Sequence, residues 1–326
     1  MKQQRACTGA VVIGRNEGER LRACLHSTLT EVDKIVYVDS GSTDESISLA
    51  QTLGVAVHSL RDEFTAARAR NEGFRYLCFL YPDVEFVQFI DGDCELAPGW
   101  MTAARVFLEE REDVAAACGR RRERYPERSV YNFLCDVEWN TPIGRTRACG
   151  GDVMIRLVAL QQVGGFRDDL IAGEEPELCV RLRTKGWQIW RLDADMTLHD
   201  AAILHFSQWW KRCTRAGFAY AEGVRLHGRR PELHWVRESR SAWAWGAGVP
   251  VALALSGFLL GPVAAWGLAV YPIQVVRLAL RFRGSRRERW LRAFFLVAGK
   301  VPEAIGQLRA LRIRIRKLTP VLIEYK

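Results

Sequence analysis

Asp91-Gly92-Asp93 sets two carboxylates one residue apart, directly after the apolar run Phe86-Val87-Gln88-Phe89-Ile90. If that run is a strand, both acids stand at its carboxyl end. There they can offer oxygen ligands to one hard divalent cation such as Mg2+ or Mn2+, which keeps positions open for phosphate oxygens. The bland alternative is a solvated turn, and the apolar strand in front of it counts against that. Asp39 closes an equally apolar run, Lys34 to Val38 (KIVYV), and precedes Ser40-Gly41-Ser42-Thr43. A carboxylate there can accept from a base imide or a ribose hydroxyl while the loop supplies N–H donors. Capping of the following helix is compatible with the same residues. Gly173-Glu174-Glu175-Pro176-Glu177 places three acids in a helix's first turn, where they meet the helix dipole favourably and where one could accept a hydroxyl proton. His199 follows a short strand, and a neutral imidazole there would complete an Asp/Asp/His ligand set; His205 lies close behind. Lys211, Arg212 and Arg215 could hold a diphosphate or face lipid headgroups.

Short strands and helices must position these groups. The residue pattern predicts strands at 10–14, 34–38, 55–58, 85–90, 114–118, 188–192 and 196–198. It predicts helices at 19–29, from Thr43 to about Leu53, and at 64–80, 98–110, 156–163, 174–185 and 206–222. Ser42 with Glu45 has capping-box spacing at the start of the second helix. Residues 119–148 are read as irregular, rich in Arg and aromatic residues, as a substrate-facing segment could be. Alternation of this kind predicts an α/β sandwich with a mostly parallel sheet. In such sheets ligands bind outside the carboxyl ends of strands. Arg15-Asn16-Glu17, Asp39 and Asp91 fall at three such ends, and the three together say more than any one of them.

Charge divides the chain. Of its 326 residues, those from Ile203 onward hold 22 Lys and Arg against 6 Asp and Glu, a net of +16, whereas residues 1–202 hold 25 against 32, a net of −7. A basic tail suits a polyanion, either nucleic acid or an anionic membrane surface. Ser241 to Val276 is a run of 36 residues without a charged side chain, so the membrane is preferred and no nucleic-acid partner is expected. One spanning helix needs about 20 apolar residues, which makes 241–276 a short helical hairpin, spanning or re-entrant. Arg237 and Arg240 flank one side and Arg277, Arg281 and Arg283 the other, which puts both ends in the cytoplasm. Trp243, Trp245, Trp266 and Tyr271 could anchor it at the interface, and Trp290 to Leu311 could lie flat on the surface. A buried hairpin in a soluble protein is the alternative. Nine cysteines without a C-x-x-C pair read as reduced thiols of a cytosolic compartment. Cys7 to Gly14 is too short an apolar run for a signal peptide. The expected placement is therefore the inner, cytoplasmic membrane, with residues 1–223 as a catalytic domain in the cytoplasm (halves at about 1–118 and 119–223) and 224–326 as a helical membrane-associated region.

The order of the motifs resembles glycosyltransferase family 2 with the GT-A fold. The residues that carry the likeness are VVIGRNE (11–17), VYVDSGSTDES (36–46), ARNEG (69–73), FIDGD (89–93), CGGDVMIR (149–156), VGGF (163–166) and AGEEPELCVRL (172–182). They cover about residues 8 to 210, and the set is specific where no single member is. The resemblance implies that Arg15, Asn16, Glu17, Asp39 and Ser40 hold the nucleotide of a sugar donor, with Arg70 and Asn71 near it. It implies that the D-x-D acids bind a divalent cation and the donor diphosphate. Asp93 is the firmer ligand, Asp91 and Gly92 lie against the donor, and His199 is the third ligand. The catalytic base is implied to be Glu175, standing where the family usually has Asp and one methylene longer. Gly150, Gly151, Asp152 and Glu174 are implied on the acceptor side. Gln208-Trp209-Trp210-Lys211-Arg212 matches the Q-x-x-R-W motif of processive synthases only loosely, so processive polymerisation is not implied.

The activity implied is inverting transfer from a nucleotide-sugar to a hydroxyl of a lipid-linked saccharide, in surface polysaccharide or glycolipid assembly. A polyprenyl-phosphate glycosyltransferase would differ only in acceptor. A sugar nucleotidyltransferase shares the nucleotide-plus-metal logic, but Gly14-Arg15-Asn16-Glu17-Gly18 is a poor phosphate loop. A dinucleotide oxidoreductase is disfavoured because no G-x-G-x-x-G follows the first strand.

Overall fold

The computed structural model describes residues 6–62 and 64–318. Its chain divides into two compact units, 1–202 and 203–326. The first is built on one nine-stranded sheet: β1 (Cys7–Gly14), β2 (Ile35–Asp39), β3 (Ala56–Ser59), β4 (Val84–Asp91), β5 (Cys94–Leu96), β6 (Val114–Glu123), β7 (Gly144–Arg145), β8 (Val153–Arg156) and β9 (Gln188–His199). The order is β3-β2-β1-β4-β8-β6-β9-β5, with β7 also on β9. Strands β3, β2, β1 and β4 run parallel; beyond β4 the pairing is mixed.

Helices cover both faces, so β1 is apolar at consecutive positions rather than at alternate ones. Ala10 and Val12 point into one core, with Leu21 and Leu25 of α1 (Glu19–Leu29) and Trp100 and Leu108 of α4 (Trp100–Glu110). Val11 and Ile13 point into the other, with Phe74 and Leu77 of α3 (Ala66–Leu80), Leu160 of α6 (Leu157–Gln162), and Leu178 and Leu182 of α7 (Glu174–Thr184). Helix α2 (Ser46–Thr52) follows β2.

Three expectations are corrected here. Residues 119–148 are not irregular: β6 runs on to Glu123, α5 spans Val130–Glu138, and β7 follows. Ser129 caps α5 by accepting from the Asn132 N–H at 2.9 Å, a standard N-cap. The strands expected at 188–192 and 196–198 are one strand, β9. Asp193 and Asp195 turn to solvent, and its ladder with β6 absorbs register shifts near Arg120. The short strand β5 was not expected at all.

The second unit is helical: α8 (Phe206–His227), α9 (Val236–Trp243), α10 (Val249–Leu260), α11 (Val270–Arg281), α12 (Arg286–Ala298) and α13 (Lys300–Ile315). Helix α8, grouped by sequence with the N-terminal part, packs on α13 so closely that a Cβ on Gly217 would lie 1.9 Å from the Glu303 carbonyl oxygen, and one on Gly306 would lie 2.0 Å from that of Thr214. In the structure α8 accordingly belongs to the second unit. Residues 290–311 are likewise not one surface helix. The chain breaks at Gly299, and α13 buries Pro302, Ala304, Gly306, Gln307 and Ala310. The uncharged stretch leaves α9 through a π-helical segment, Ala244–Gly248, and continues as α10. It turns at Gly261 (φ 66°) and returns through a 3-10 segment, Gly261–Ala269, into α11. The Tyr271 hydroxyl donates to the Trp245 carbonyl at 3.0 Å across this hairpin. Its turn exposes Phe258 (89%), Leu259 (76%) and Trp266 (82%).

Candidate active site

Three neighbouring strand ends meet at β1. Gly14 is paired in register with Asp39 on one side, and Ile13 with Asp91 on the other. Ser40 N–H donates to the Gly14 carbonyl at 3.0 Å and Gly92 N–H to that of Ile13 at 2.8 Å, so both loops are tied to the same strand end. Asp39 accepts from the Tyr37 hydroxyl at 3.0 Å and from the Gly41 and Ser42 N–H groups at 2.9 Å each. Its loop is thus folded around its carboxylate. Asn16 sits at φ 55° and accepts from Thr43 N–H at 2.7 Å, which laces the first loop to the second. Glu17 pairs with Arg20 at 2.7 Å, and the Arg15 guanidinium lies over the Phe64 ring.

Asp91 is gripped by cations from two elements. Arg70 of α3 reaches it at 2.7 Å and spends its other terminal nitrogen on Glu174 at 2.8 Å. Burial alone would loosen the Arg70 proton, but Asp91 and Glu174 outweigh it and raise its pKa. Arg121 stands 3.6 Å from Asp91 and 2.7 Å from Asp152. Gly150 is at φ 98° with open space around it, so its backbone requires glycine. Gly151 is crowded instead: a Cβ there would lie 2.7 Å from Asp91 Oδ2 and 3.0 Å from Arg70 Nη2.

Two of the motif residues are engaged in internal hydrogen bonds. Asp152 is fully buried. It accepts the Asp91 N–H at 3.0 Å and the Thr197 hydroxyl at 2.8 Å, so it braces Asp91 from behind. Asn71 is 1% exposed, and both ends of its amide are bound to Phe166, with a further bond to Asp168. It fastens α3 to the 163–166 turn.

Asp93 and His199 come together on the next ladder, where Cys94 of β5 lies opposite His199 of β9. Asp93 Oδ1 is 3.4 Å from His199 Nε2, and both side chains are buried. His199 Nδ1 is buried without a hydrogen-bond partner, and Glu123 Oε2 stands 3.9 Å from it. Glu123 is itself held by the N–H groups of Tyr125 and Ala201 and by Asn132. A carboxylate behind an imidazole, with a second carboxylate in front, is the donor set of a histidine-containing metal site with an orienting outer group. The residues therefore fit a divalent cation. Trp139, the residue that follows α5, packs edge-on against His199, with centroids 4.8 Å apart. His205 is used otherwise: it caps α8.

At the start of α7 the two candidate acids part. Glu174 turns to Arg70. Glu175 turns inward, accepting from the Cys149 N–H at 2.7 Å and the Cys179 thiol at 2.8 Å. Its other oxygen, Oε2, is buried without a partner. Burial pushes its carboxyl above the ordinary glutamate value by more than the Cys179 thiol and the loop N–H groups pull it back.

Sequence reasoning missed Arg121, Glu123 and Trp139. Glu123 and Arg121 lie two apart on β6, and the alternation of that strand was the available signal.

Residues 10–148 match the model of glycosyl transferase family 2. Among solved structures the chain is similar to the mannosyltransferase PcManGT from Pyrobaculum calidifontis in complex with GDP-Man and Mn2+. The identity is 19% and the TM-score 0.65, over 94% of this chain and 88% of that one. It is also similar to S. aureus TarS 1-349 in complex with UDP-GlcNAc, at 12% identity and a TM-score of 0.51, over 96% of this chain and 92% of that one. At such identities the likeness establishes the GT-A fold.

Proposed function

The chain carries a glycosyl transferase family 2 domain over residues 10–148, and from that premise we propose that it transfers a sugar with inversion from a nucleotide-sugar to a hydroxyl of a lipid-linked saccharide. The buried Asp93–His199 pair, backed by Glu123 and set one ladder from Asp91, supports this most strongly. Asp93 and His199 would hold Mg2+ or Mn2+, with Asp91 beside them. When bound, the ion supplies charge stabilisation for the leaving diphosphate.

The protein's own groups do the rest. The loops at Arg15–Glu17 and Asp39–Ser40 bind the nucleotide. Arg70 and Arg121 fix the Asp91 carboxylate so that it can orient the donor without swinging. Glu175 takes the acceptor proton, which requires its buried Oε2 to be uncovered. Glu175→Gln is expected to lower kcat by about 10²–10⁴-fold while donor affinity, measured by calorimetry, holds. The sign of the pH effect follows from the raised pKa. The base form appears only above that pKa, so kcat should climb with pH through a value above 4.5. That acid limb should vanish in the variant; an unchanged limb would reject Glu175. A donor screen reading released nucleoside diphosphate tests the activity itself, and release of inorganic diphosphate would point to nucleotidyl transfer instead.

The acceptor side rests on the hairpin. Val236–Arg281 contains a window of mean hydropathy 1.8, none of it buried. The hairpin's base is fixed to α13, where a Cβ on Gly246 would overlap the Lys300 carbonyl. Beyond that base α10 has 12 residues, about 18 Å of helix, against a hydrocarbon core of about 30 Å. We read it as re-entrant, dipping from the cytoplasmic face. Replacing both Phe258 and Trp266 with Asp should cut binding to anionic vesicles by more than about tenfold. Equal flotation of the wild type and this variant would remove the membrane from the reading.

A further inference from the structure

We propose that Cys149, Glu175 and Cys179 form a second metal site, selective for a thiophilic ion such as Zn2+, which holds the enzyme inactive by claiming the Glu175 carboxylate. The inhibitory consequence rests on Glu175 being the base; the site itself does not.

Ligand atoms of the three residues all lie within 4.8 Å of one another. Two tetrahedral thiolate ligands of one zinc ion, each at 2.3 Å, stand about 3.8 Å apart, so the cluster needs little contraction. Glu175 and Cys179 are one turn apart on α7 and already face each other at 2.8 Å. Cys149 enters from the opposing loop. Cys149, Glu175 and Cys179 supply three ligands and leave a fourth position open. The second, independent sign is the Glu175 Oε2 atom, buried with no partner on a residue 3% exposed. A buried carboxylate oxygen left unsatisfied costs free energy that a cation would remove.

Chemistry separates this site from the one at Asp93. Two sulfurs and a carboxylate favour zinc, whereas Asp93 and His199 with phosphate oxygens suit Mg2+ or Mn2+. Loading releases the protons of Cys149 and Cys179 to solvent and leaves two thiolates and one carboxylate around a dication. Arg183, which donates to the Arg147 carbonyl beside the loop and acts electrostatically on Cys179, offsets the remaining negative charge.

The test uses the full chain, reduced with a phosphine, in excess Mg2+. Titration with Co2+ should give about one equivalent of a thiolate-to-metal charge-transfer band, lost in both Cys149→Ser and Cys179→Ser. In parallel, stoichiometric Zn2+ should cut sugar transfer by the wild type more than tenfold and that of Cys179→Ser less than twofold. Absence of the band, or its persistence in both variants, would overturn the site. Zn2+ inhibition equal in wild type and Cys179→Ser would place the inhibitory ion elsewhere and overturn the control mechanism. A band that depends on both cysteines, with no inhibition of the wild type, would keep the site and reject Glu175 as the base.

Discussion

Asp93→Ala is expected to abolish metal-dependent donor binding and to lower kcat/KM by about 10³-fold or more. The metal's stabilisation of developing charge is worth several kcal/mol, and each 1.36 kcal/mol is a factor of ten. Asp93 is the carboxylate that faces His199 at 3.4 Å in a buried pocket, and water cannot take its place there at equal strength. Donor titrations by calorimetry with and without Mn2+ give the answer directly. In the wild type the two curves should differ strongly; in the variant they should coincide. Glu123→Gln, on the side of His199 away from Asp93, should cost about 10–100-fold in metal affinity and leave metal-free donor binding unchanged. Retention of metal-dependent donor binding by Asp93→Ala would reject the site.

Arg70→Ala should be the most damaging substitution for stability, at about 3–5 kcal/mol. Arg70 is 2% exposed and satisfies Asp91 and Glu174 with separate nitrogens. Its loss would leave two carboxylates crowded near Asp152 in a place they entered only because they were paired. With a urea dependence of about 1–3 kcal/mol per molar, the unfolding midpoint should fall by more than about 1 M. Arg70→Lys should recover only part of this, because an ammonium cannot present two nitrogens in a fixed fork. A midpoint for Arg70→Ala within about 0.3 M of wild type would show that the two carboxylates find other partners.

Much of the donor half was legible in the sequence because its signals are local. Each of the strands ending at Gly14, Asp39 and Asp91 is a mostly apolar run followed by polar residues, as expected of a parallel strand buried on both faces. The helix opening at Glu174 was marked by glycine and clustered acids. The rest was hidden by distance along the chain. Glu123 matters because β6 runs beside β9 and brings it to His199, 76 positions away. Asp152 and Asn71 carry motif positions whose internal bracing bonds polarity alone does not announce, because burial is not written in a motif. Helix α5 was missed although Ser129 and the spacing of Val130, Phe133, Leu134 and Val137 announce it, because the wealth of arginine and aromatic residues around it suggested an irregular segment. The overlap of α8 with α13 follows from the absence of side chains at Gly217 and Gly306, which no pattern of polarity registers.

The pairing of β1 with β2 on one side and β4 on the other has a metric consequence. Adjacent strands lie about 4.8 Å apart, so the backbone anchors of Asp39 and Asp91, one strand to each side of β1, stand roughly 10 Å apart once their one-residue offset is included. Main-chain hydrogen bonds set that gauge, and no side-chain substitution in the loops can reset it. The sheet acts as a ruler: it admits ligands whose two gripped groups match its span. Discrimination among donors of equal span must then come from groups mounted beyond the ruler's ends, on the loops and on α5.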